Sequence, residues 1–132
     1  MIKVVVAGAA GRMGREVIRA VSNTPGMTVA GAVDVRNNGE DAGVLSGIGP
    51  LGVEVRSDLE NVLKETGADA LVDFTIAKAA VQNAITAINC GVRPVIGTTG
   101  IPVEEIEELR RLSREKAVGG LIAPNFAIGA VL

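Results

Sequence analysis

Short runs of aliphatic and β-branched residues alternate along this chain with longer stretches whose apolar positions recur every three or four residues. That alternation is the signature of β-α-β units feeding a parallel sheet. Ile2-Lys3-Val4-Val5-Val6-Ala7 reads as a buried first strand. The spacing then predicts a helix over 12–23, with Met13, Val17 and Val21 on one face and Arg15, Arg19 and Ser22 elsewhere. Pro25-Gly26 is a turn, and a second strand is predicted over 27–34. Periodicity fails over 35–52, where Asn37-Asn38-Gly39 and Gly47-Ile48-Gly49-Pro50 predict a long loop, a kind of segment that often carries function. A short strand over 53–56 follows, and the capping-box spacing of Ser57 and Glu60 predicts a helix running to Glu65. Next come a strand over 70–74, a helix over 78–89 stopped by Gly91, and a strand over 95–97. Pro102 suits the first turn of a helix reaching Lys116, residues 121–123 form a further strand, and 125–132 read as the start of another helix. The chain ends inside this pattern, with no cap or polar tail. There is no repeat, low-complexity tract or linker, so residues 1–132 are expected to form one domain. Its expected fold is a doubly wound, mostly parallel α/β sheet with helices on both faces.

Composition narrows what such a domain does. Of the 132 residues, 48% are apolar and 21% charged, which suits a packed core and excludes a disordered chain. Aromatics are only 2%, Phe74 and Phe126, so a base-stacking surface has almost nothing to stack with. With 13 basic and 15 acidic side chains the net charge is -2, which argues against a nucleic-acid partner. Histidine is absent, which removes Ser-His and Cys-His nucleophiles, imidazole acid–base chemistry and His-bound zinc. Cys90 stands alone, without a disulfide partner or thiolate cluster, and is expected as a small apolar residue at a helix end. Neither a metal site nor a catalytic residue is assigned. No apolar stretch approaches the roughly 20 residues of a membrane span, and the run over 4–10 has no basic leader, so a cytoplasmic protein without membrane contact is expected. Acidic Glu104, Glu105, Glu107 and Glu108 open the helix after Pro102, and Arg110, Arg111, Arg114 and Lys116 close it. That order complements the helix dipole and reads as a solvated face.

The excess of glycine, 17 residues, is where chemistry enters. Gly8-Ala9-Ala10-Gly11-Arg12-Met13-Gly14 lies between the first strand and the first helix, with G-x-x-G-x-x-G spacing. Gly8 permits a sharp turn, Gly11 lets backbone amides approach a pyrophosphate, and Gly14 allows helix and strand to pack closely. The helix start offers free N–H groups and the positive end of its dipole to a diphosphate. Asp34 ends the second strand about twenty residues further on, where a carboxylate accepts hydrogen bonds from the hydroxyls of an adenosine ribose. Its charge repels a 2′-phosphate, so NAD(H) is favoured, with NADP(H) the alternative if Arg36 or Arg12 compensates. Gly97-Thr98-Thr99-Gly100 and Ala123-Pro124-Asn125-Phe126 follow later strands, where each is either a carboxamide-binding segment or an ordinary turn. Asp73 either caps the next helix or lines the cleft.

Five segments, in order, resemble one family, the dihydrodipicolinate reductases. They are Gly8-Ala9-Ala10-Gly11-Arg12-Met13-Gly14-Arg15, Asp41-Ala42-Gly43-Val44-Leu45-Ser46-Gly47, Val72-Asp73-Phe74-Thr75, Gly97-Thr98-Thr99-Gly100 and Ala123-Pro124-Asn125-Phe126-Ala127-Ile128-Gly129. The resemblance spans the chain and corresponds to the family's amino-terminal nucleotide-binding domain. It implies that Gly8, Ala9, Ala10, Gly11, Arg12 and Met13 bind the pyrophosphate and Asp34 the ribose. It further implies that Gly97, Thr98 and Thr99, then Ala123, Pro124, Asn125 and Phe126, line the nicotinamide end and the hinge. Family members reduce a cyclic unsaturated dicarboxylate of lysine and diaminopimelate biosynthesis with NADH or NADPH, and are typically cytoplasmic homotetramers.

Two departures matter. Many NADPH-using members carry arginine directly after the ribose-binding acid, where this chain has Val35. The family's histidine-rich substrate domain is absent, in keeping with the lack of histidine, and most tetramer contacts belong to it. The chain alone is therefore expected to bind cofactor without turnover, the dicarboxylate engaging only with the missing domain. Two other readings compete: a free-standing nucleotide-binding redox sensor, and the cofactor domain of a different amino-acid-related dehydrogenase.

Overall fold

The computed structural model describes residues 1–123 and 130–131. Strand β1 (Ile2–Ala7) leads into helix α1 (Arg12–Ser22), then β2 (Met27–Val33), the single-turn helix α2 (Ala42–Leu45) and β3 (Val55–Arg56). Helix α3 (Leu59–Thr66), β4 (Ala70–Asp73), α4 (Ala77–Asn89), β5 (Arg93–Ile96), α5 (Val103–Lys116), β6 (Leu121–Ile122) and β7 (Ala130–Val131) follow. The strands lie in the order β3-β2-β1-β4-β5-β6-β7. Pairing is parallel from β3 through β6, and β7 runs antiparallel to β6. The doubly wound α/β sheet expected from the pattern is thus present.

β1 lies between β2 and β4, and its last residues are buried on both faces. Its side chains alternate accordingly. Val4 and Val6 pack with Ile18 and Val21 of α1 and Ala42 of α2. Val5 and Ala7 pack with Leu59, Val62 and Leu63 of α3 and Ala87 of α4 on the opposite face. A third cluster joins Ala80, Ala84 and Ile88 of α4 to Leu109 of α5, Ile96 of β5 and Ile122 of β6. Cys90 directly follows α4, half-buried against the second of these clusters, the helix-end position foreseen for it.

Local structure departs from the pattern in four places. The buried residues of α1 are Gly14, Ile18 and Val21, with Val17 half-buried beside them, while Met13 is 38% exposed, so the face keeps Val21 and shifts by one position in its first turn. The long loop contains α2, organised by Asp41, whose carboxylate accepts the amides of Gly43, Val44, Leu51 and Gly52 at 2.8–3.0 Å. The amide of Leu51, then those of Val44, Gly52 and Gly43, outweigh desolvation and hold that carboxyl at about 2, below its ordinary 3.8. The Ser57–Glu60 capping box is not formed. Helix α3 starts after Asp58 without a side-chain cap, because Asp58 is turned to Arg56, which donates to it through Nε at 3.0 Å. Finally, Ala130–Val131 is a strand and not the predicted helix. The open edge of β6 offers unpaired backbone groups, and a short apolar run has no periodicity strong enough to resist pairing with them.

Candidate functional site

β2 and β3 are laid down on one side of β1, and β4, β5 and β6 on the other, so the connections diverge above the carboxyl ends of β1 and β4. Ligands of open α/β sheets bind at such a point. The crevice there has a lobe of about 480 Å³ lined by Gly8, Gly11, Asp34, Val35, Arg36 and Ser57, with Thr75, Ile76, Ala79 and Asn83 opposite. A second lobe of about 400 Å³ shares Phe74, Thr75 and Ile76 and extends to Met13, Gly97, Thr98 and Thr99. Together they make an elongated hollow from the end of β2 to the end of β5.

The glycine loop is shaped by close backbone approach. Gly8 has φ +80, and a Cβ on it would sit 3.0 Å from the Phe74 carbonyl oxygen. A Cβ on Gly14 would come within 2.0 Å of the Gly8 carbonyl oxygen, so α1 rests directly on the end of β1. Four loop amides are occupied: Gly8 and Ala9 donate to the Val33 carbonyl, Gly11 to that of Gly8, and Ala10 to the Asp34 carboxylate at 2.9 Å. The first backbone bond of α1 runs from the Arg15 amide to the Gly11 carbonyl at 3.0 Å. Among the described residues the amides of Arg12, Met13 and Gly14 therefore have no partner at the helix start, and Gly11, the cap residue, has no side chain to satisfy them.

Asp34 stands across from this loop, 8% exposed. Oδ2 accepts the Ala10 amide, and Oδ1 accepts the Arg36 amide at 3.0 Å with the Arg36 Nε at 3.5 Å. Each carboxylate oxygen has two acceptor sites, so capacity remains for a further donor. Burial works to raise its pKa, but the amides of Arg36 and Ala10 and the Arg36 guanidinium prevail and keep it below the usual value. Arg36 is largely exposed and reaches over the crevice, its Nη2 3.6 Å from where a Cβ on Gly11 would lie.

At the far end, Thr98 is buried and its Oγ1 donates to the Thr75 carbonyl at 2.8 Å, while Thr99 is in the lining. Gly97 leaves room for the Phe74 ring, which a Cβ would meet at 2.1 Å. Ala123 follows β6, and its amide donates to the Ile96 carbonyl at 2.8 Å. Pro124, Asn125 and Phe126 lie outside the described residues. The fold thus brings Gly8, Gly11, Met13, Asp34 and Gly97–Thr99 around one hollow. The sequence reading missed Thr75, Ile76, Ala79 and Asn83. Their signal lay in the position of β4, since the loop after the strand facing β1 across the divergence must form the opposite wall.

Among the described residues no group of His, Cys, Asp and Glu side chains is arranged to hold a metal ion. No helix among them is long and apolar enough to cross a membrane.

This sheet order, with a glycine-rich turn entering the first helix, defines a Rossmann-type α/β domain of the dinucleotide-binding class. The dehydrogenase WlbA (WbpB) from Thermus thermophilus, solved in complex with NAD and UDP-GlcNAcA, shares the fold with a TM-score of 0.75 at 18% identity over 93% of this chain and 41% of that one. More specifically, the chain belongs to the dihydrodipicolinate reductase family: residues 2–126 match the family's model for "Dihydrodipicolinate reductase, N-terminus". The 4-hydroxy-tetrahydrodipicolinate reductase of Moorella thermoacetica is 50% identical over 131 residues, which are 99% of this chain and 49% of that protein. Dipicolinate-bound dihydrodipicolinate reductase from Paenisporosarcina sp. TG-14 superimposes with a TM-score of 0.80 at 31% identity, over 96% of this chain and 48% of that one. The chain spans about half the length of the curated relatives it matches. Fold and family together support nicotinamide dinucleotide binding.

Proposed function

We propose that residues 1–132 are the cofactor domain of a 4-hydroxy-tetrahydrodipicolinate reductase and that the crevice holds NADH. The observation that carries this reading is the trio of amides of Arg12, Met13 and Gly14, without a partner among the described residues, beside a crevice that Gly11 leaves open. Three convergent N–H groups at a helix start are a diphosphate site. In this reading Gly8, Ala9, Ala10 and Gly11 shape the loop and hold it to Asp34. Asp34 takes a ribose hydroxyl on its remaining acceptor site, and Gly97, Thr98, Thr99 and Ala123 to Phe126 flank the nicotinamide.

The cofactor supplies a hydride when bound; the contribution of this chain is to hold and orient it. The acceptor in the whole protein is a 4-hydroxy-tetrahydrodipicolinate, the compound in the relatives' names, and the family resemblance places this cyclic dicarboxylate in diaminopimelate and lysine biosynthesis. The remainder of such a protein binds that dicarboxylate and delivers the proton, and the cytoplasm is its place of work. Asp34 at the ribose favours NADH over NADPH through charge repulsion, with Arg36 close enough to soften the preference. Titration of the chain with NADH and NADPH by calorimetry tests the reading. Binding of NADH at least as tight as that of NADPH, without reduction of dihydrodipicolinate, is expected. A tenfold preference for NADPH, or turnover by these 132 residues, contradicts it.

A further inference from the structure

Asp73 is a carboxylate with no exposure at all, at the carboxyl end of β4 beneath the crevice. Its Oδ1 accepts both the amide and the Oγ1 of Thr75, at 2.8 and 2.6 Å, and its Oδ2 accepts Asn83 Nδ2 of α4 at 2.8 Å. Three donors make this side chain the fixed point of the loop after β4. Asp73 and that loop are joined to the loop after β5 by three further contacts: the Gly97 amide to the Asp73 carbonyl at 2.9 Å, Thr98 Oγ1 to the Thr75 carbonyl, and Gly97 against the Phe74 ring. Thr75 borders both lobes of the crevice, whereas Thr98 borders only the second.

We infer that Asp73, Thr75 and Thr98 form a positioning relay, in which the buried carboxylate sets Thr75 and Thr75 sets Thr98, so that the wall of the second lobe is held in register with the first. None of the three needs to touch the reacting atoms. Their role is to keep the nicotinamide-side lobe in register with the adenosine-side wall, which Thr75 also borders and Thr98 does not. This inference rests on the proposed placement of the dinucleotide.

The test compares two ligands, NADH and ADP-ribose, which lacks the nicotinamide. Thr98→Val removes the Thr98–Thr75 hydrogen bond at nearly constant volume, and Thr98→Ser retains the hydroxyl. Loss of one such bond is expected to weaken NADH about five- to tenfold and to diminish the fluorescence change of the bound nicotinamide. ADP-ribose affinity should stay within about twofold, and Thr98→Ser should restore NADH binding. Thr75→Val, which removes the hydroxyl bond to Asp73 and keeps the amide bond, should weaken NADH in the same direction and serves if Thr98→Val does not fold. Equal loss of both ligands, or no loss of either, overturns the relay. Refusal of both ligands by the unaltered chain overturns the dinucleotide reading itself, and the relay with it.

Discussion

Gly11→Val separates the shape of the crevice from the stability of the fold. Gly11 has φ -77 and ψ 168, an extended conformation open to any residue. A Cβ there would lie 3.3 Å from the Gly8 carbonyl oxygen and 3.6 Å from Arg36 Nη2, so the loop must yield by only a few tenths of an ångström. Replacing glycine by valine at a helix cap costs about 1 kcal/mol, or roughly 3–5 °C in Tm for a domain of this size. The added side chain stands on the crevice wall that Gly11 forms, beside Arg36 and directly before α1. Denying a diphosphate two charge-assisted hydrogen bonds costs about 3–6 kcal/mol, at least about a hundredfold in affinity. Gly14→Ala gives the opposite signature. Its Cβ would stand 2.0 Å from the Gly8 carbonyl oxygen and 2.9 Å from the Ala9 Cα, both backbone, so α1 must move off β1. Overpacking of that kind costs about 1–3 kcal/mol or more. Differential scanning fluorimetry and NADH fluorescence titration on both variants separate the effects. A Gly11→Val chain that binds NADH with wild-type affinity would falsify the pyrophosphate placement.

Asp34→Ala removes the ribose acceptor and should weaken NADH by about 1–3 kcal/mol, more than NADPH; calorimetry showing the larger loss for NADPH would move Asp34 away from the ribose. Asp41 has a carboxyl pKa of about 2 in the fold against an ordinary 3.8, so its contribution to stability is complete above about pH 4 and is lost as pH falls toward 2. Urea midpoints across that window should fall for the native chain and fall less steeply for Asp41→Asn; parallel curves would show that Asp41 does not hold the loop. Gly97→Ala drives a Cβ to 2.1 Å from the Phe74 ring, which must swing into the second lobe or unpack. Reduced NADH affinity together with a lower Tm is expected, and a variant unchanged in both would show that the ring is not constrained there.

Much of the architecture was legible because its causes are local. The alternation along β1, the stop after Asn89 and the start of α5 after Pro102 each follow from side-chain pattern or backbone restriction within a few residues. Where the pattern misled, a more distant partner prevailed. Asp58 was drawn to Arg56 and left the cap of α3 unmade, and the edge of β6 took Ala130–Val131 as a strand. The one-position shift of the α1 face came from Gly14, whose missing side chain turns a polar-looking position into the point of closest approach.

The site divides in the same way. Gly8, Gly11, Gly14 and Asp34 were legible because a tight turn, an open helix start and a strand-terminal acid have recognisable residue types at nearly constant spacing. Asp73 was ambiguous in the sequence, since the same residue there suits a cap or a cleft wall. Only the tertiary structure made it a buried hub bonded to Thr75 and Asn83. Likewise, residue pattern alone dictates that strands and helices alternate and that a glycine turn opens the first helix. Which strands lie side by side was decided in three dimensions, because parallel pairing is driven by burial of both sheet faces between segments far apart in the chain. Placing β4 beside β1 is what brought residues near 8, 34, 74 and 98 to the rim of one crevice.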